Sequence, residues 1–311
     1  LKNSKLEIAN NYEFMKIDLS DYKLTLEAII NAKPDLIFHL AAETHVDRSI
    51  DNAYPFIKSN IIGTYNLLES TLQYWRSLRL DKKEDFRLIH ISTDEVYGSL
   101  KEDSKFNEES PYLPNSPYSA SKASSDMLVK AWHKTFELPT ITTNCSNNFG
   151  PWQFPEKLIP NTIIKALSKE KIPVYGNGEN IRDWIFVEDH IEALLLISQK
   201  ANLGSHYCIG GECELKNIDL VSKICNILQS LSNDNFDYSQ LIEFVQDRPG
   251  HDFRYAIDNF KLKNDLNWSL KNDFEVNLRN TIKWYFDHSQ WCKEISEKSN
   301  FFGQRLGTIT N

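Results

Sequence analysis

The chain has 311 residues (36.1 kDa), 41% of them hydrophobic and 25% charged, which is ample for a buried core and excludes global disorder. At roughly 150 residues per domain, this length predicts two domains, or one large domain with a smaller lobe. A net charge of −8 argues against a dedicated nucleic-acid binder, and no apolar run approaches the roughly 20 residues of a membrane-spanning helix.

In chain order, Tyr12 to Ile17 reads as a strand, and Asp21 caps an amphipathic helical stretch running to Asn31. Pro34 breaks that stretch, and Asp35 to Leu40 is an apolar run of strand length. A long helix follows from Ala53 to Leu78, with Ile57, Ile61, Tyr65, Leu68 and Leu72 recurring at helical spacing. Phe86 to Ser92 is the next strand, Pro117 to Phe136 the next long helix, and Thr140 to Cys145 another strand. Alternation of this kind predicts an α/β fold with a parallel sheet covered by helices on both faces. The second half is less regular. Helices are expected over Glu156–Ser168, Val187–Lys200, Lys216–Leu231 and Phe274–Phe286, strands over Ile172–Tyr175 and Ile181–Phe186, and a polar loop over Ser232–Ser239. The last dozen residues read as frayed. No clean linker separates residues 1–150 from 151–311, so the two lobes are expected to interleave.

The five cysteines are odd in number and widely spread, with no Cys-x-x-Cys pair, a pattern of reduced thiols in a cytoplasm rather than of disulfides or a zinc site. No residue set is assigned to a metal, and His45 and Asp47 stay ambiguous. His39 and His90 lie in apolar strands and read as core histidines.

Two segments carry the chemistry. Ser92-Thr93-Asp94-Glu95-Val96-Tyr97-Gly98 follows directly on a predicted strand, so its polar side chains fall at the carboxyl edge of the sheet, where open α/β sheets bind ligands. Tyr118 and Lys122 lie four apart at a helix start and therefore on one face. An ammonium held near a phenol lowers its pKa towards that of a usable base, and Thr93 is placed to bond the same substrate hydroxyl. This is a device for taking a proton from an alcohol while its hydride leaves. Adjacent acids such as Asp94 and Glu95 are ordinarily a solvated turn; beside this pair they also fit an acid and a base for a second proton transfer. Leu40-Ala41-Ala42-Glu43 offers small residues past a strand end, either a plain loop or a track for a flat ligand. Asp18-Leu19 is open to the same two readings. Lys157, Arg182, Arg248 and His251 are candidate diphosphate contacts, each also readable as a surface group.

Over nearly its whole length the sequence resembles the dTDP-glucose 4,6-dehydratase family of extended short-chain dehydrogenases/reductases. The likeness rests on Phe38 to Ser49, Ser92 to Gly98, Ser116 to Asp126, Thr143 to Pro151, Phe154 to Pro160, Ile181 to Trp184, Val187 to His190 and Asp247 to Asp252. The Thr93-Asp94-Glu95 triplet is its most specific part. The resemblance implies a Rossmann-type doubly wound sheet with a smaller C-terminal substrate lobe, a cytoplasmic homodimer joined through long helices, NAD as cofactor and a nucleotide sugar as substrate. It implies that Tyr118, with Lys122 and Thr93, takes the proton of the sugar 4-hydroxyl as hydride passes to NAD. Glu95 then removes the proton on carbon 5 while Asp94 protonates the departing 6-hydroxyl. By the same resemblance, Asn147, Lys157, Leu158, Pro173, Tyr175, Arg182, Asn217, Arg248 and His251 match substrate positions. Asp18, Leu19, Leu40, Ala41, Ala42, Glu43, Thr44, Ser59 and Asn148 match cofactor positions, together with Tyr118 and Lys122. Phe149 and Thr44 stand where the family more usually has Tyr and Ser.

One departure is large. The family opens with a strand, a Gly-x-x-Gly-x-x-Gly turn and a helix that grips the pyrophosphate. No such motif occurs here, and only 11 glycines are present. The sequence reads from just upstream of the third expected strand, as a fragment or a truncated form. An inert remnant that binds a nucleotide sugar or a partner without turnover is therefore the alternative to an enzyme.

Overall fold

Short, nearly continuous apolar strands pack best in a parallel sheet buried on both faces. The computed structural model describes residues 12–100, 104–232 and 235–298. Its strands are β1 (Leu36–His39), β2 (Arg87–Thr93), β3 (Thr140–Cys145), β4 (Asn147–Phe149), β5 (Ile172–Tyr175), β6 (Ile181–Phe186), β7 (His206–Ile209), β8 (Glu214–Lys216) and β9 (Ile242–Val245). The main sheet has the order β1-β2-β3-β7, with every pair parallel. Successive residues of β2 feed opposite faces. Leu88 packs with Leu67, Leu68, Leu72 and Val129 of the helices Gly63–Ser77 and Pro117–Phe136. Ile89 packs with Ala193, Leu194, Ile197 and Leu262 of the helices Val187–Lys200 and Phe260–Leu266. The sheet is thus doubly wound, and its fourth strand, β7, comes from the second half of the chain.

A second core lies under the C-terminal half. β6 runs parallel to β4 and antiparallel to β8, while β5 pairs with β9. Ile159, Ile163, Trp184, Leu220, Ile224, Leu278 and Ile282 fill the space between these strands and three helices.

Two expectations are corrected. Tyr12 to Ile17 carries no regular structure, and Tyr12, Phe14 and Met15 are exposed. A strand needs a neighbour, and among the described residues β1 pairs on one side only, with β2. The long helix is also not uniform. It begins at Tyr54–Phe56, widens into a π-helical turn over Ile57–Ile62 and returns to α-helix at Gly63–Ser77. The wider turn rotates the helix face, so Ile57 and Tyr65, read as part of the apolar stripe, are exposed and Asn60 is buried instead. The short strands β7, β8 and β9 and the helix Val46–Asp51 have too few residues to show a period in the sequence. The frayed end falls outside the described residues.

Gly211, just after β7, lets the main sheet approach β6. A Cβ there would sit 1.7 Å from the Trp184 carbonyl oxygen, which is backbone and cannot swing away. Gly211→Ala is therefore expected to destabilise the fold by about 3 kcal/mol, at the severe end of overpacking. Denaturant unfolding measures this, and a change below about 1 kcal/mol would show that the two strands separate easily.

Candidate active site

The carboxyl end of β2 delivers the acidic segment. Thr93 closes the strand and caps the tight turn Asp94–Tyr97, its hydroxyl accepting from the Glu95 amide at 3.3 Å and donating to Asp94 Oδ1 at 3.2 Å. Gly98 ends the turn at φ +79°, where a Cβ would stand 2.3 Å from the Leu113 carbonyl oxygen. Asp94 is buried, and its Oδ2 has no partner. Burial, then the Glu95 charge, holds the Asp94 carboxyl well above the ordinary carboxylate range. Burial also raises Glu95, while Arg248, Arg182 and Lys157 pull it back.

The helix Pro117–Phe136 brings the second segment. Ser116 and Ser119 cap its start reciprocally, Pro117 occupies the first turn, and the Tyr118 amide donates to Ser49 Oγ at 3.1 Å. Tyr118 packs edge-on against Phe56. Lys122 lies one helical turn further along the same face. Its Nζ donates to the Ile91 carbonyl oxygen at 2.8 Å, and burial followed by the Glu95 charge pushes the Tyr118 phenol well above its ordinary value. Burial lowers Lys122, and Asp126 one helical turn on pulls it back. Asp126 is itself gripped by His90 at 2.9 Å and by the Tyr112 hydroxyl at 2.9 Å.

From Glu95 a cleft of about 220 Å³ opens between the two lobes. Asn147, Lys157, Leu158, Pro173, Tyr175, Arg182, Asn217, Arg248 and His251 all line it, whereas Thr93 does not. β4 brings Asn147, β5 brings Pro173 and Tyr175, β6 brings Arg182, and helix starts bring Leu158 and Asn217. Arg182 donates to the Asp252 carbonyl at 2.9 Å and lies over the Tyr255 ring at 4.4 Å. Lys157 donates to the Thr44 carbonyl at 2.9 Å. His251 is pushed down to about 3, first by burial, so it offers hydrogen bonds rather than charge. Asn147 Oδ1, Asn217 Oδ1, Trp184 Nε1 and Arg248 Nε are buried around this one cleft without hydrogen-bond partners among the described residues. Buried polar atoms are normally bonded, so this concentration marks a place for a polar ligand.

The other matched positions lie along the end of β1. Leu40, Ala41 and Thr44 are exposed, and Ala42, Glu43 and Ser59 are half-buried. Asp18 is exposed and bonded to Lys58 at 3.1 Å; Leu19 packs against Gly63, its carbonyl accepting from Asn66 at 2.9 Å. Asn148 is engaged by His190 at 2.8 Å and by the Ser146 carbonyl at 3.1 Å. The structure adds residues that the motifs did not single out. Asp47 resolves from ambiguity into a buried anchor that receives Tyr175 at 2.5 Å and Arg248 at 3.3 Å. His45 lines the cleft and is neutral, lowered to about 3 chiefly by burial. Asn60 ties the Glu43 backbone to Ser121. A polar residue inside an apolar helical stretch is the one available sign of Asn60, whereas Asp47, ambiguous in the sequence, gains its place only from its distant partners.

Comparison with known proteins gives concordant relatives. A family model described as GDP-mannose 4,6 dehydratase matches residues 1–281. The probable dTDP-glucose 4,6-dehydratase of Sinorhizobium fredii is 48% identical over 304 residues, covering 98% of this chain and 87% of that protein. The dTDP-glucose 4,6-dehydratase of Escherichia coli is 50% identical over 321 residues, covering 98% and 88%. Among solved structures, the dTDP-glucose 4,6-dehydratase of Bacillus anthracis in complex with NAD superposes with a TM-score of 0.81 at 40% identity, over 94% of this chain and 86% of that one. The Streptomyces venezuelae enzyme with NAD and TYD bound gives 0.83 at 36% identity, over 93% and 84%. On this likeness, sustained across nearly every residue of its two lobes, the chain belongs to the dTDP-glucose 4,6-dehydratase family.

Proposed function

We propose that the chain is a hydro-lyase that converts dTDP-glucose to dTDP-4-keto-6-deoxyglucose, the entry to deoxysugars such as dTDP-rhamnose, with NAD as cofactor. The observation that carries this is the meeting of Thr93, Asp94, Glu95 and Tyr118 at one sheet edge, opening onto a cleft lined by Lys157, Arg182 and Arg248. The cations suit a diphosphate, and the unpartnered amide oxygens suit a base and a sugar. The same convergence favours turnover over inert binding, because a mere binding site has no use for a buried and a half-buried acid beside a buried phenol.

The residues fit the cofactor. The partly exposed track Leu40–Thr44 at the end of β1, with Ala41 and Ala42 at its centre and Ser59 beside it, suits a flat ring and its ribose, Asp18 and Leu19 suit the adenine end, and Asn148 supports the inner wall. NAD, when bound, supplies a hydride acceptor that later returns the hydride. The chain does the rest. Tyr118 takes the 4-hydroxyl proton, with Thr93 bonded to the same oxygen and Lys122 supplying positive charge nearby. Glu95 removes the carbon-5 proton, and Asp94 protonates the departing 6-hydroxyl.

Assembly and location follow the same reading. Tyr54, Ile57, Ile62, Tyr65 and Met127 are exposed on the helices of residues 54–77 and Pro117–Phe136, an apolar surface suited to a second copy. The cysteines are all free thiols, as suits the cytoplasm, and among the described residues no helix is long and apolar enough to cross a membrane.

Tyr118→Phe is expected to lower kcat by about 100-fold or more, within the range of general-base effects, with substrate affinity largely kept. Near-normal turnover of this variant would remove Tyr118 from its role. Glu95 must be a carboxylate to act, and its pKa is raised, so activity falls as pH drops through that raised value. The acid limb of kcat is therefore expected above the ordinary glutamate value of about 4.3, and Glu95→Gln is expected to oxidise the sugar but stall before water leaves. A limb at or below 4.3, or a Glu95→Gln variant that loses oxidation first, would contradict the assignment. Light scattering at micromolar concentration is expected to give a dimer mass, and a monomer would count against the helical interface.

A further inference from the structure

An acid is out of place in a cleft that takes a diphosphate, because its charge repels the ligand. Among the described residues, three acids nevertheless line this cleft: Asp47, Glu95 and Glu156. Glu95 has its task in the proposed reaction, and Glu156 is paired with Arg48 at 2.8 Å. Asp47 is the one left to explain. It is buried, at 4% exposure, on the short helix Val46–Asp51.

Both of its oxygens are committed. Oδ2 accepts from the Tyr175 hydroxyl at 2.5 Å, and Oδ1 accepts from Arg248 Nη1 at 3.3 Å. These donors lie 128 and 201 residues further along the chain, in the C-terminal lobe. Tyr175 ends β5, and His251 packs edge-on to its ring at 6.1 Å. Arg248 is held through Nη1, while its Nε is buried at the cleft without a hydrogen-bond partner among the described residues. One carboxylate thus fixes an aromatic ring and a guanidinium, the two kinds of group that recognise a nucleobase and a diphosphate. The residues beside Asp47 tie the same stretch to the same lobe, since Lys157 donates to the Thr44 carbonyl at 2.9 Å and Arg48 reaches Glu156.

We propose, on the strength of the dehydratase reading, that Asp47 is a positioning residue for the nucleotide half of the substrate. It holds Tyr175 and Arg248 in their binding orientation before dTDP-glucose arrives. The repulsion it exerts on the diphosphate is outweighed, because two long side chains are ordered in advance and binding no longer bears that cost. Its partners grip the nucleotide and not the reacting carbons, so its effect falls on affinity rather than on the chemical steps.

The test turns on a sign. Titration calorimetry measures the binding of dTDP to the full chain, unsubstituted and as Asp47→Asn, which removes the charge and keeps the size. A carboxylate acting on the ligand through its charge alone would give tighter binding on removal. Positioning gives binding about 10-fold weaker. Tyr175→Phe keeps the ring and cuts only the tether, so it weakens binding in the same direction. The double variant loses less than the two single losses combined, because both act on one contact. In turnover of dTDP-glucose with NAD, the KM of Asp47→Asn rises with the dissociation constant while kcat stays within about twofold. Tighter or unchanged dTDP binding by Asp47→Asn, or a lower kcat at unchanged KM, would overturn the positioning role and leave the dehydratase reading intact. Should Asp47→Asn not fold, unsubstituted affinity in Tyr175→Phe would overturn it equally. Failure of the unsubstituted chain to bind dTDP would overturn that reading and the positioning role with it.

Discussion

The site depends first on one buried amide. Asn60, in the π-helical turn, accepts from the Glu43 amide at 2.8 Å and donates to the Glu43 carbonyl at 3.0 Å and to Ser121 Oγ at 2.8 Å. Its own carbonyl accepts from Ser125 Oγ at 2.6 Å. Three pieces of chain meet there: the loop after β1, the long helix behind it, and the helix that carries Tyr118 and Lys122. The bonds with Ser121 and Ser125 are buried, so leaving one of them unmade would cost about 1–3 kcal/mol. The widened turn over Ile57–Ile62 carries Asn60 to the inside and leaves Ile57 exposed.

Around that frame the charges are sorted by environment. The chain is acidic overall, at −8, yet the cleft gathers Lys157, Arg182 and Arg248. They are held by carboxylates and carbonyls that leave a face of each turned to the opening: Asp47 for Arg248, the Asp252 carbonyl for Arg182, the Thr44 carbonyl for Lys157. The same cations draw Glu95 back towards its ionised form, whereas Asp94, deeper and beside Glu95, is left to burial. Two neighbouring acids thereby acquire different proton affinities, which an acid and a base working in one elimination require.

Beneath the sheet, His90, Asp126, Tyr112 and Asn144 form a second buried polar group whose bonds are largely satisfied internally. It backs Lys122 with a negative charge one helical turn away, which opposes the downward pull of burial on the lysine.

The sequence by itself determined the alternation of strands and helices, the position of Thr93-Asp94-Glu95 past a strand end and the shared helical face of Tyr118 and Lys122, because these follow from local periodicity and spacing. It also carried the set of cleft residues, through motifs whose order along the chain is preserved. Tertiary structure alone decided the rest. Tyr12 to Ile17 has strand composition but no pairing partner among the described residues, and a strand is a property of two segments. Lys122 has the right spacing but is claimed by the Ile91 carbonyl of β2. Asp47 becomes an anchor only when Tyr175 and Arg248, far along the chain, arrive beside it. Hydrogen bonds between distant segments, and the burial that shifts proton affinities, depend on what the fold brings near, and no local pattern encodes that.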